Sequence, residues 1–310
     1  MDVLFEIKRL SQGQKILAGE TLSTLDALCA QSSAWETLRR FAVLWIDPNH
    51  DFSTHIRNIW LEFDTATIKH SSQATEILSR PSIFFGPNSK TLQKEQDVHL
   101  ICDALHALGN TMFDEGSLRS LMTKLPDKSR IFQVGLMLSR LNPGLRICIY
   151  PLTAEEIPAL LQAAGWQGDL EMVSEILRQL PLELESFAVD VDLMTDGLAD
   201  KIGIECYMDW FENDPQQWAP FLDRLVEMGL CLPSKYRGIL DFQGMMPFPK
   251  DWHSFPDKII YPFLYRKIHH IKLSLRERQI TEAKAYLALS HPGLNQNAIF
   301  SKNAGGAWLV

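Results

Sequence analysis

Residues 186–210, SFAVDVDLMTDGLADKIGIECYMDW, leave the chain little choice of local structure. Phe187, Val189, Val191 and Leu193 alternate with Ser186, Ala188, Asp190 and Asp192. After a turn rich in Asp, Gly and Thr, Ile202, Ile204, Cys206 and Met208 alternate with Lys201, Gly203, Glu205 and Tyr207. Strand side chains point to opposite faces in turn, so these runs predict a β-hairpin with one apolar and one polar face. A helix-period run follows, with Asp214 as N-cap, Pro215 at the first helical position and Gly229 near its end.

The unit recurs. Residues 130–150 read as a strand, an Asn-Pro-Gly turn and a second strand, and the helix pattern after them opens with Thr153 and Glu156 in capping-box spacing. Residues 269–290 read as a further hairpin. Residues 41–64 read as another, in which Ile59, Leu61 and Phe63 oppose Trp60, Glu62 and Asp64. Helices are expected at 90–108 and 115–124, and a short one after Pro233. Leu4, Ile7 and Leu10, then Leu22, Leu25 and Leu28, recur at helix spacing, so residues 1–40 are expected to be helical, with residues 1–17 an amphipathic docking or capping helix. Residues 71–90 read as a loop with an edge strand at IFF, the Pro-rich stretch 242–263 as irregular, and 291–310 as a loosely ordered tail. With no strong composition break, the expectation is a single domain over 1–310, its repeated body at 41–290.

A hydrophobic fraction of 46% supports a packed core, and a net charge of −8 argues against nucleic acid as partner. The five cysteines are scattered without a C-x-x-C pair, as expected of reduced thiols in a cytoplasmic protein. No leader pattern and no long apolar run is present, so no membrane span is expected. H-E-x-x-H, G-x-S-x-G, the phosphate-binding P-loop and the dinucleotide glycine fingerprint are all missing, which removes the usual support for hydrolase, nucleotide-binding and dehydrogenase readings.

Hairpins interleaved with helices predict an α+β fold of repeated α-β-β-α units: an antiparallel β-barrel or strongly curved antiparallel sheet, helices packed outside on the apolar faces. The polar faces then look inward. They carry Trp60 and Glu62, Arg146 and Tyr150, Lys201, Glu205 and Tyr207, His270 and Lys272, and Lys284 and Tyr286. Cations beside phenols suit a diphosphate. Asp190 and Asp192 share a strand face and are candidate Mg²⁺ ligands. His270 is in phase with Lys272, which directs His269 to the other face.

The successive α-β-β-α units, with strand motifs LRICIY and EAKAYL, resemble the ABBA, or PT-barrel, aromatic prenyltransferases. Strands of that family carry motifs similar to R-x-K-x-Y and K-x-Y, and Cys148 stands here where Lys is usual. The resemblance implies ten antiparallel strands ringed by helices, and a prenyl diphosphate held by the Lys, Arg and Tyr side chains of the polar faces. It further implies an allyl cation shielded by Trp60, Tyr150, Tyr207 or Tyr286. Glu62 would deprotonate an aromatic, indole, guanidine or peptide acceptor. The alternative is a non-catalytic binding or accessory protein that uses the polar sheet face and the N-terminal amphipathic helix. The two differ in whether the polar strand faces are enclosed or solvated.

Overall fold

A computed structural model describes residues 2–20, 25–64, 81–88, 94–110, 113–137, 144–181, 184, 186–208, 215–247, 263–276 and 278–290. β1 (Asp2–Lys8) is followed by α1 (Gln12–Ala18), α2 (Leu25–Gln31), α3 (Ser33–Ile46) and α4 (Asp51–His55). Then come β2 (Ile56–Asp64), β3 (Ser82–Pro87), α5 (Lys94–Ala107), α6 (Glu115–Lys124), β4 (Arg130–Leu136) and β5 (Leu145–Leu152). α7 (Glu156–Ala163) and α8 (Leu170–Gln179) lead to β6 (Ser186–Met194) and β7 (Gly197–Tyr207). A 3-10 turn (Pro215–Trp218), α9 (Ala219–Glu227), α10 (Pro233–Phe242), β8 (Gly244–Pro247), β9 (Phe263–Arg276) and β10 (Gln279–Ser290) complete the order. The fold is α+β, and its strands follow one hydrogen-bonded path, β1-β2-β3-β4-β5-β6-β7-β9-β10, with β8 added on β9. The chain forms two compact units: residues 1–175, 187–204 and 275–279, and residues 176–186, 205–274 and 280–310.

In the first unit the ladders β1–β2, β2–β3, β3–β4, β4–β5 and β5–β6 are all antiparallel. Helix α3 covers the apolar face of β2 and β3. Trp35, Leu38, Phe41, Ala42 and Trp45 recur at helix spacing and are buried. Phe41 lies against Phe85 at 6.2 Å, Trp35 stacks on Phe63 at 6.3 Å, and Trp45 Nε1 donates to the Ile56 carbonyl at 2.9 Å. The capping box before α7 is reciprocal: the Thr153 N–H donates to Glu156 Oε2 at 2.9 Å, and the Glu156 N–H to Thr153 Oγ1 at 3.3 Å. In the second unit β9 lies beside the end of β7 and β10 lies beside β9, and Phe221, Leu222 and Leu225 of α9 are buried.

Three local expectations are corrected. Asp2–Lys8 is a strand, not the start of an amphipathic helix. Val3, Phe5 and Ile7 alternate with Leu4, Glu6 and Lys8, and pairing with β2 decides between two periods that the same leucines and isoleucine satisfy. Residues 41–46 belong to helix α3, so the expected hairpin at 41–64 has only its second arm. The IFF segment is an interior strand between β2 and β4, not an edge. Asp214, residues 248–262 of the Pro-rich stretch and residues 291–310 lie outside the described residues.

Candidate functional site

The polar strand faces carry two clusters, one in each unit. In the first unit, β4, β5 and β6 bring Gly135, Arg146 and Asp192 into one row, and Gln133, Cys148 and Asp190 into the next. Residues directly opposite in an antiparallel ladder share a face, so the register itself sets the partners. Arg146 donates through Nε to Asp192 Oδ1 at 2.7 Å and through Nη2 to Asp192 Oδ2 at 2.8 Å, a bidentate pair with both side chains largely enclosed. Burial alone would depress the guanidinium; hydrogen bonding and charge from Asp192, with the charge of Asp190, carry it above its ordinary range. Gly135 admits the ring of Phe84, which occupies the space a Cβ would take. Asp190 is 3% exposed and Tyr150 8%, the latter edge-on to Phe132 at 5.9 Å.

The second cluster joins Glu205 and Tyr207 of β7 to His269, His270 and Lys272 of β9 and to Lys284 and Tyr286 of β10. Tyr207 donates its hydroxyl to Glu205 Oε2 at 2.6 Å. Glu205 Oε1 lies 3.4 Å from His270 Nε2 and 4.0 Å from Lys272 Nζ. The His270 ring stacks on Tyr286 with centroids 4.2 Å apart, and Lys284 Nζ sits 5.2 Å above the Tyr286 ring. Burial opposes ionisation of Glu205, but the charges of His270 and Lys272 and the Tyr207 hydroxyl outweigh it and hold the carboxyl well below the usual range. Burial, reinforced by His270, holds His269 well below the usual imidazole range.

His269 and His270 meet at 2.6 Å between their Nδ1 atoms, contrary to the expectation that they serve opposite faces. Strand alternation fixes the direction of Cβ, not where an imidazole nitrogen ends up. The rings lie 6.0 Å and 5.1 Å from Tyr207.

Of the residues singled out from sequence, Glu205, Tyr207, His270, Lys272, Lys284 and Tyr286 come together here. Arg146 belongs to the first unit, paired with Asp192. Trp60 and Glu62 share a face of β2, opposite Glu6 and Leu4 of β1. Lys201 is exposed. Both Asp192 oxygens are taken by Arg146, so the Asp190–Asp192 pair does not fit a Mg²⁺ site; no metal-ligating cluster of three or more His, Cys, Asp or Glu occurs among the described residues. Sequence reading set His269 aside as facing away, and passed over Asn58 and Glu6. Asn58 was detectable, because it lies two residues before Trp60 and hence on the same face.

No helix among the described residues is long and apolar enough to cross a membrane. Compared with known proteins, the chain matches no family model, no curated protein and no solved structure.

Proposed function

We propose that the chain transfers an isoprenyl group from an allylic diphosphate to a nucleophilic acceptor, using the second-unit cluster. The observation that supports this reading is the burial of a polar strand face. Glu205 is 7% exposed, Tyr207 6%, His270 7% and Lys272 8%, whereas a solvated strand face would expose them as Lys201 and Glu282 are exposed. Enclosing a lysine costs several kcal/mol unless charge and hydrogen bonds offset it. Glu205 supplies charge to Lys272, and a diphosphate would add charge and hydrogen bonds at Lys272 and Lys284.

The chemistry follows from the residues. The allylic C–O bond breaks with its electron pair leaving on the diphosphate, whose growing charge meets the ammonium groups of Lys272 and Lys284 and the hydroxyl of Tyr286. The allyl cation is shielded by the Tyr207 and Tyr286 rings. The acceptor forms its bond to the cationic carbon and loses a proton to a carboxylate. Glu205 is assigned that role over Glu62 because it belongs to the same cluster as the cations. The alternative, a non-catalytic accessory protein, used the polar sheet face and an N-terminal docking helix; Asp2–Lys8 is β1 of the sheet, which leaves that alternative the sheet face.

Thermal stabilisation of the full chain tests the reading, with dimethylallyl, geranyl and farnesyl diphosphate against inorganic diphosphate, each with and without Mg²⁺. A ligand at 100 times its Kd stabilises the folded state by about 2.7 kcal/mol. One prenyl diphosphate should raise the midpoint well beyond inorganic diphosphate. No rise with any of them at millimolar concentration would overturn the proposal.

A further inference from the structure

β1 ends the strand path, and among the described residues its one ladder is the antiparallel pairing with β2. The turn after it fixes the direction of its backbone groups. The Arg9 N–H donates to the Arg57 carbonyl at 3.1 Å, and the Ser11 N–H donates to the Lys8 carbonyl at 3.2 Å. Residues of an antiparallel strand alternate between bonding their partner and facing away from it. Val3, Phe5 and Ile7 are in phase with Arg9 and bond β2, so Leu4, Glu6 and Lys8 turn their N–H and C=O groups to the outer edge. On the apolar face, Val3, Phe5 and Ile7 lie opposite Phe63, Leu61 and Ile59. Those three β2 residues are buried, yet Phe5 is 57% exposed, its ring meeting Phe63 edge-on at 5.9 Å.

We propose that this edge pairs with β1 of a second copy of the chain, antiparallel, about a two-fold axis at Phe5. The strand sequence DVLFEIK complements itself in that register. Leu4 meets Glu6 of the second copy and Glu6 meets its Leu4, each pair exchanging N–H···O=C bonds in both directions through groups that already face outward. Val3 meets Ile7 of the second copy, and the two Phe5 rings face each other at the axis. Lys8, which lies 3.5 Å from its own Glu6, comes opposite Asp2 of the second copy. Shifting the axis to Leu4 sets Glu6 against Asp2 of the second copy, and shifting it to Glu6 sets two glutamates opposite each other. Like charges directly opposite are destabilising, and only the axis at Phe5 pairs the strand over its whole length. An exposed edge is a template for another strand, and a two-fold contact of this kind closes after two copies. The contact is independent of the prenyl-transfer reading and uses none of its residues.

Analytical ultracentrifugation of the full chain, from micromolar to submillimolar concentration, tests the proposal. The parent chain should move with concentration towards twice the mass of one chain. Phe5→Lys sets two ammonium groups at the axis and removes the facing rings, and it should raise the dimer Kd by about 100-fold. Residues opposite each other in a non-hydrogen-bonded antiparallel pair have Cα atoms about 4.5 Å apart, within the range of a disulfide. Phe5→Cys should therefore cross-link two copies on mild oxidation. The parent chain with its own cysteines, and Leu10→Cys in the exposed turn beyond the strand, should not. If Phe5→Lys does not fold, the cross-link and the parent mass decide together. A parent chain that stays monomeric, a dimer that Phe5→Lys leaves intact, or a Phe5→Cys chain that cross-links no faster than Leu10→Cys would each overturn the proposal and leave the edge to a different partner.

Discussion

Replacing Glu205 by Gln removes the single buried carboxylate of the second unit among its described residues, and the cost can be worked from the geometry. Lys272 Nζ lies 4.0 Å away, and both side chains are 10% exposed. Two unit charges at that separation attract by about 4 kcal/mol at an effective dielectric constant near 20, part of which desolvation cancels. Gln also converts the 2.6 Å hydrogen bond from Tyr207 from charge-assisted to neutral, a loss of about 1 kcal/mol. Breaking a buried pair from one side costs about 3–5 kcal/mol, and Glu205→Gln should fall in that range. Lys272→Met should cost about 2 kcal/mol, because Glu205 keeps Tyr207 and His270. The double variant should be no worse than Glu205→Gln alone, giving a coupling energy of about 2 kcal/mol. Urea unfolding at neutral pH measures all four corners of the cycle, read on the transition that the variants move. Additivity within about 0.5 kcal/mol would mean that the two charges do not interact, and the reasoning would fail.

Three further outcomes are expected. His269 has a folded pKa below its ordinary 6.5, so below that pH the unfolded chain binds the extra proton and stability falls. The slope is about 1.4 kcal/mol per pH unit, which makes pH 5.5 about 1.4 kcal/mol worse than neutral pH for this group. Urea titrations at both pH values should show that difference in the parent chain and not in His269→Gln. Glu205 is depressed as well, so its contribution is present above 4.5 and is lost as the pH falls further, adding a second window that Glu205→Gln removes. Asp192→Asn leaves Arg146 enclosed without its bidentate partner and should cost about 3 kcal/mol in the same unfolding assay. Lys284→Ala should weaken prenyl diphosphate binding while shifting the unliganded thermal midpoint little, because Lys284 is only partly buried; calorimetric titration alongside the melt separates the two effects.

What the sequence disclosed follows from where each strand sits. The hairpins at β4–β5, β6–β7 and β9–β10 were legible because their apolar and polar residues alternate, and helix α6 runs over the expected residues 115–124. β3 was misjudged because every residue of Ser82–Pro87 is buried on both faces, which erases the period of two. β1 was misjudged because seven residues with apolar positions at 3, 4, 5 and 7 satisfy a helix and a strand at once. Alternation also put Arg146 and Asp192 on the polar face of their strands. It could not reveal that the β5–β6 register sets them opposite each other. That single pairing turns an expected diphosphate ligand and an expected metal ligand into partners for one another.

The charge arrangement of the polar faces explains why the prenyl diphosphate is assigned to the second unit. In the first unit Lys8 meets Glu6 at 3.5 Å and Arg146 meets Asp192 at 2.7 Å, each a cation beside its own carboxylate. In the second unit the buried carboxylate Glu205 is approached by Lys272 and His270, and Lys284 lies over the Tyr286 ring that stacks on His270. A polyanion entering the first arrangement would have to break an ion pair before gaining one. Entering the second, it meets two ammonium groups around one buried carboxylate, and rings that tolerate a developing cation. The distinction is electrostatic and independent of any family likeness. It makes Lys272 and Lys284, rather than Arg146, the residues whose loss should weaken diphosphate binding.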